Sequence, residues 1–119
     1  MTAAGAEYEE HAAQWLEQRG WKILYRNVRF RSGELDIVAL DQQQLVFVEV
    51  RKRSNPRYPS ATESVDKRKQ QRLLWAAASF LQRHPQWANR ACRFDVIAFE
   101  PRQSLASFEP IWIRAAFTA

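Results

Sequence analysis

The chain has 119 residues, a formal charge of +5, 46% apolar residues and a single cysteine, Cys92. This length and apolar content suit one folded domain over residues 1–119 and argue against disorder, while a lone cysteine excludes an internal disulfide and suits a reducing cytoplasm. No apolar run approaches the ~18 residues needed to span a bilayer, the N-terminus does not read as a signal peptide, and a basic surplus carried by 14 Arg and 4 Lys makes nucleic acid or an acidic surface the default partner.

Residues 6–19 predict an amphipathic helix, with Tyr8, Ala12, Trp15 and Leu16 on one stripe and Gly20 as its stop. Residues 21–30 predict a strand, Arg31-Ser32-Gly33 a turn, and 34–40 and 45–52 two further strands joined by Asp41-Gln42-Gln43-Gln44. From Arg53 to Thr62, Asn55-Pro56 and Tyr58-Pro59 predict a loop. Residues 64–83 predict the longest helix, with Leu73, Ala76, Ala77, Phe80 and Leu81 as its core stripe and His84-Pro85 as its end. Strands at 93–99 and 111–114 complete the order α-β-β-β-α-β-β. That order predicts an α/β fold with a mixed central sheet flanked by helices.

The second and third strands each carry one acid. If they form a hairpin in which Leu40 pairs with Leu45, Val38 faces Phe47 and Asp36 faces Glu49, about 5 Å apart at Cβ. Like charges so placed need a shared proton or a divalent cation. A metal site is therefore the first expectation. Phasing of the first helix at ~100° per residue puts Glu9 about 75° from the centre of its apolar stripe, closer than Glu7 or Glu10. As a plain structural residue, Glu9 would sit at the boundary in a salt bridge.

Arg51 follows Glu49 by two and shares its face. It is either a cross-strand partner for Glu34 or a cation beside a scissile phosphate. Lys52 points to the opposite face. Lys69 falls on the apolar stripe of the long helix, so it either snorkels or reaches the acids. Residues 51–72 hold eight basic side chains (Arg51, Lys52, Arg53, Arg57, Lys67, Arg68, Lys69 and Arg72) against two acids. This local excess exceeds the charge of the whole chain and is the arrangement a phosphodiester substrate requires. His11 and His84 lack metal-motif spacing and read as structural or surface residues. Cys92 has no obvious base and is expected to be buried. Trp21, Trp75, Trp87 and Trp112 read as core or rim residues rather than base-stacking platforms.

An acid in the first helix, Asp36 on the second strand and Glu49-Val50-Arg51 on the third resemble the PD-(D/E)xK nuclease superfamily. Gly5 with Glu9 and Ala12, Arg26-Asn27, Gly33-Glu34-Leu35-Asp36, Phe47-Val48-Glu49-Val50, Lys69-x-x-Arg72-Leu73, Arg93-Phe94-Asp95-Val96 and Ala115-Ala116-Phe117 resemble the YraN family within it. That family is similar to archaeal Holliday-junction resolvases. The resemblance implies a restriction-endonuclease-like core in which Asp36 and Glu49 bind Mg²⁺ or Mn²⁺, Glu9 assists, and the basic residue after Glu49 aids catalysis. The family reads Glu-Val-Lys where this chain has Arg51, which cannot give up a proton near neutral pH; Lys69 is then the candidate for the missing ammonium.

The expected function is a Mg²⁺-dependent endonuclease acting on branched or single-stranded DNA. Asp36 and Glu49 would hold the metal with the Val50 carbonyl as a further ligand, Arg51 and Lys69 would stabilise developing charge, and Arg53, Arg57, Lys67, Arg68 and Arg72 would bind the nucleic acid. The alternatives are a catalytically inactive nucleic-acid-binding module on the same fold and a protein-interaction domain whose acids are structural. Symmetric cutting of a junction would require a homodimer.

Overall fold

The computed structural model describes residues 3–52, 65–99 and 111–117. Helix α1 (Ala3–Gln18) is followed by β1 (Lys22–Phe30), β2 (Gly33–Asp41), β3 (Gln44–Lys52), α2 (Lys67–Arg83), a 3₁₀ turn at Pro85–Trp87, β4 (Cys92–Phe99) and β5 (Ile111–Phe117). The strands form one mixed sheet in the order β1-β2-β3-β4-β5. Only β3 and β4 run parallel, joined through α2, and the other neighbours are antiparallel. This is the predicted α-β-β-β-α-β-β order, compatible with a restriction-endonuclease-like core. Among the described residues no helix is long and apolar enough to cross a membrane.

The ends of α1 follow its sequence. Gly20 adopts φ +87, Trp21 N–H donates to Leu16 O (3.1 Å) and Gly20 N–H to Glu17 O (3.0 Å), the Schellman pattern that glycine permits. Helix α2 starts later than the predicted residue 64. Asp66 caps it, accepting from the Lys69 N–H at 2.8 Å, which satisfies one of the orphan donors of the first turn.

The sheet has a helix on each face. Leu73, Ala76, Ala77 and Phe80 of α2 bury Val38, Leu45, Phe47, Phe94 and Val96. Ala12, Ala13 and Leu16 of α1 bury Ile37, Ala39, Val46, Val48, Ile97 and Phe99 on the other side. This strand alternation is the period of two expected of a sheet covered on both faces. The predicted hairpin register holds: Leu40 pairs with Leu45 and Val38 with Phe47. Its loop is tighter than expected, because Asp41 and Gln44 also pair and leave only Gln42 (φ +56) and Gln43 to turn the chain.

Candidate metal and nucleic-acid site

Asp36 sits where the pairing on both sides of β2 lapses. Towards β3 the ladder ends at Ile37↔Val48. Towards β1 it passes from Arg26↔Ile37 to Val28↔Leu35, skipping Asp36 and the opposing Asn27, whose φ is +54. A backbone donor freed by this gap, Val50 N–H, bonds the Asp36 carboxylate instead of a strand carbonyl (2.9 Å). The N–H and C=O of one strand residue point to the same edge, so the Val50 carbonyl also faces the Asp36 side.

Glu49 continues the same face of β3, and Asp36 and Glu49 lie within hydrogen-bonding reach of each other. Both are buried. Burial, then the Asp36 charge, pushes the Glu49 carboxyl up to about 8. Burial also raises Asp36, and the Val50 N–H opposes that rise. Burial and mutual repulsion thus favour a proton on the pair. Two cations converge on one oxygen of Glu49: Lys69 Nζ at 3.4 Å and Arg51 Nη1 at 3.8 Å. Lys69 therefore reaches the acids across the helix–sheet interface. Gly33 permits this approach, since a Cβ there would lie 2.8 Å from the Arg72 carbonyl of α2.

Glu9 is fully buried rather than at a boundary, and neither of its carboxylate oxygens has a hydrogen-bond partner. Burial, followed by the charge of Asp36, pushes its carboxyl up to about 7. The Asn27 amide approaches and eases this cost without completing a hydrogen bond of ordinary geometry. Buried acids this poor in donors are costly and cluster at functional sites.

Mg²⁺ takes one or two carboxylates and completes its octahedron with water and substrate phosphate. Asp36, Glu49 and the Val50 carbonyl fit that demand. Among the described residues no group of three or more His, Cys, Asp or Glu is arranged to hold a metal ion, so a site here would rest on the Asp36–Glu49 pair with the Val50 carbonyl.

Several expectations need correction. Glu34 lies beside Arg29 (3.6 Å), while Arg51 turns to Glu49; parting of the strands beyond Ile37↔Val48 removes the register that would have set Glu34 against Arg51. Cys92 is exposed, not buried, because it opens β4 at the end of the sheet, where its thiol donates to Arg90 O (3.4 Å). Trp75 is 54% exposed, further out than a rim residue. Lys67, Arg68 and Arg72 are exposed on α2; Arg53 and Arg57 lie outside the described residues. Lys52 lies on the α1 side, its Nζ 5.2 Å from the Tyr8 ring centroid.

Sequence reading missed Glu34 as a member of the acid cluster, although its position two before Asp36 on one strand was the signal; it raises both Asp36 and Glu9. It also missed Arg29, which lines a groove beside Lys69.

The model of the family described as "Uncharacterised protein family UPF0102" matches residues 8–99. A UPF0102 protein of Alcanivorax borkumensis is 47% identical over 113 residues, covering 95% of this chain and 90% of its own. One from Halorhodospira halophila is 49% identical over 113 residues, covering 95% and 85%. One from Pseudomonas putida is 44% identical over 117 residues, covering 98% and 94%. The match spans every acid and cation of the site, and the chain belongs to the UPF0102 family, the YraN family that its motifs resemble.

Proposed function

We propose that the protein is a Mg²⁺-dependent endonuclease that hydrolyses phosphodiester bonds in DNA, acting on branched or single-stranded substrates. The observation that carries this reading is the Asp36–Glu49 pair: two buried carboxylates within hydrogen-bonding reach of each other, with Lys69 and Arg51 drawn to one oxygen of Glu49. Two acids set against each other in the interior call for a proton or a cation between them.

Asp36, Glu49 and the Val50 carbonyl would hold the ion, which supplies Lewis-acid polarisation of a phosphate and a lowered pKa for water when bound. Lys69 and Arg51 provide positive charge where the pentavalent phosphate develops its own. Lys69 comes nearer Glu49 than Arg51 does, and an ammonium can give up a proton where a guanidinium cannot. Lys69 thus takes the part that the lysine of the family's Glu-Val-Lys plays. Glu9, set behind Asp36, adds negative charge there once ionised and so sharpens the pair's need for a cation. Lys67, Arg68 and Arg72, together with Arg53 and Arg57, grip the backbone of the nucleic acid.

The test is cleavage of supercoiled plasmid, single-stranded oligonucleotide and four-way junction with Mg²⁺ or Mn²⁺. Wild type should cut at least one of them, and Asp36→Asn should abolish the cut while keeping the fold. Cleavage that persists in Asp36→Asn contradicts the assignment. Arg51 in place of lysine favours one second reading, a nucleic-acid-binding module without catalysis. Salt-sensitive binding with no metal-dependent cleavage on any of these substrates would establish that reading instead.

A further inference from the structure

Beside the acid pair, a groove of about 470 Å³ runs between the start of β2, the end of β1 and α2. Arg29, Lys69 and Arg72 line it against a single acid, Glu34, with Phe30 as an apolar wall. Arg83 extends the cationic edge, its guanidinium 5.1 Å from the Phe30 ring centroid. Lys69 belongs both to this groove and to the acid site, so whatever occupies the groove continues into the site. The volume suits a nucleotide-sized group, and the cations suit its phosphate.

The outer flank of α2 continues the same surface. At ~100° per residue, Arg68 lies about 40° around the helix from Arg72, and Trp75 about 60°. Trp75 is the most exposed large hydrophobic side chain among the described residues. A single exposed aromatic is ordinary on a surface, but this one stands about one turn beyond Arg72 and two turns beyond Arg68, on their side of the helix. Basic side chains following a backbone, with an aromatic face beside them, make the standard platform for an unpaired base. A base in a duplex already has neighbours on both faces and offers none to the indole.

We infer that the Arg29–Lys69–Arg72 groove and Trp75 form a binding path for an unpaired nucleic-acid strand, with the groove taking a phosphate next to the site and Trp75 stacking on a flanking base. This deepens the proposed nuclease reading by naming the strand that enters the site. Trp75 is a positioning residue and touches no reacting atom.

The experiment uses the full chain in EDTA, where neither metal nor cleavage contributes. Fluorescence anisotropy measures binding of a fluorescein-labelled oligothymidine and of a labelled blunt duplex. Trp75→Ala should weaken oligothymidine binding by about tenfold, a typical loss for one stacked base, and leave the duplex unchanged. Trp75→Phe should keep most of the affinity. Arg29→Gln with Arg72→Gln should weaken both probes and make oligothymidine binding less salt-dependent, lowering the slope by roughly 0.7 for each phosphate no longer neutralised. Oligothymidine affinity unchanged in Trp75→Ala, or weakened equally for single strand and duplex, overturns the path. Because no metal is present, these outcomes stand apart from the fate of the nuclease assignment, which rests on Asp36→Asn.

Discussion

Asp95 and the Asp36–Glu49 pair are both buried on the same sheet, yet they are surrounded in opposite ways. Asp95 accepts from Arg93 through Nε (2.8 Å) and Nη2 (3.1 Å), from Trp112 Nε1 (3.0 Å) and from Ala115 N–H (2.9 Å). Arg93 also bonds Gln44 (2.9 Å) and Asp41 (3.2 Å). This network ties β5 and the β2–β3 hairpin to β4 and leaves Asp95 with its acceptor capacity filled. Among the described residues Asp36 accepts from one backbone N–H, and neither Glu9 oxygen has a hydrogen-bond partner. Burial alone therefore does not mark the functional acid. The mark is buried acids set against one another rather than wholly against donors, which makes an arriving cation worth more there than at Asp95.

The largest effect that can break this contrast lies at Asp95. Asp95→Ala takes from a nearly buried Arg93 its nearest acid and unpairs Trp112 Nε1 and the Ala115 N–H, and should cost about 3–5 kcal/mol, read as a lower urea midpoint at unchanged slope. A loss below ~1 kcal/mol would put Asp95 in the same class as the functional acids.

Asp36→Asn should move the other way. It removes one of two buried like charges and keeps an oxygen for the Val50 N–H, so at about pH 8 the metal-free protein should gain on the order of 1–3 kcal/mol. The pH dependence has the same origin. Glu9 and Glu49 are raised to about 7 and about 8 in the folded state, so the folded protein holds protons that the unfolded chain releases. Metal-free stability should then fall as pH rises from about 4.5 to about 8 and level off beyond. Thermal unfolding in EDTA follows this fall, and Glu49→Gln should flatten it.

Smaller effects sharpen how the cations are placed. Gly33→Ala forces a methyl against the Arg72 carbonyl and should cost about 1–3 kcal/mol, with cleavage falling further than stability explains because Lys69 is displaced. Asp66→Ala removes the cap that fixes the Lys69 backbone and should cost about 1 kcal/mol, measured by denaturant titration.

Much of this site is legible in the sequence because it depends on local periods. Counting outward from Leu40 and Leu45 places Asp36 against Glu49, and helix phasing selects Glu9 and puts Lys69 on the inner face of α2. Features that depend on departures from the period are not legible. The gap at Asn27, the parting of β2 and β3 beyond Ile37↔Val48, and the resulting turn of Arg51 towards Glu49 all break the ladder that the counting assumes. The Asp95 network joins residues far apart in sequence, and only the two-residue spacing of Arg93 and Asp95 hints at it. Trp75 reads as an ordinary core or rim aromatic until α2 is seen to bury the opposite side.

The claim on which the account rests is that the Asp36–Glu49 pair is a cation site. Calorimetric titration of Mg²⁺ or Mn²⁺ into the wild type tests it directly, repeated in buffers of different ionisation enthalpy and on Asp36→Asn. Binding to the wild type should release a proton, because a proton held by the buried pair must leave before the ion is bound, and Asp36→Asn should not bind. Equal heats in the two proteins, or none in either, would contradict it.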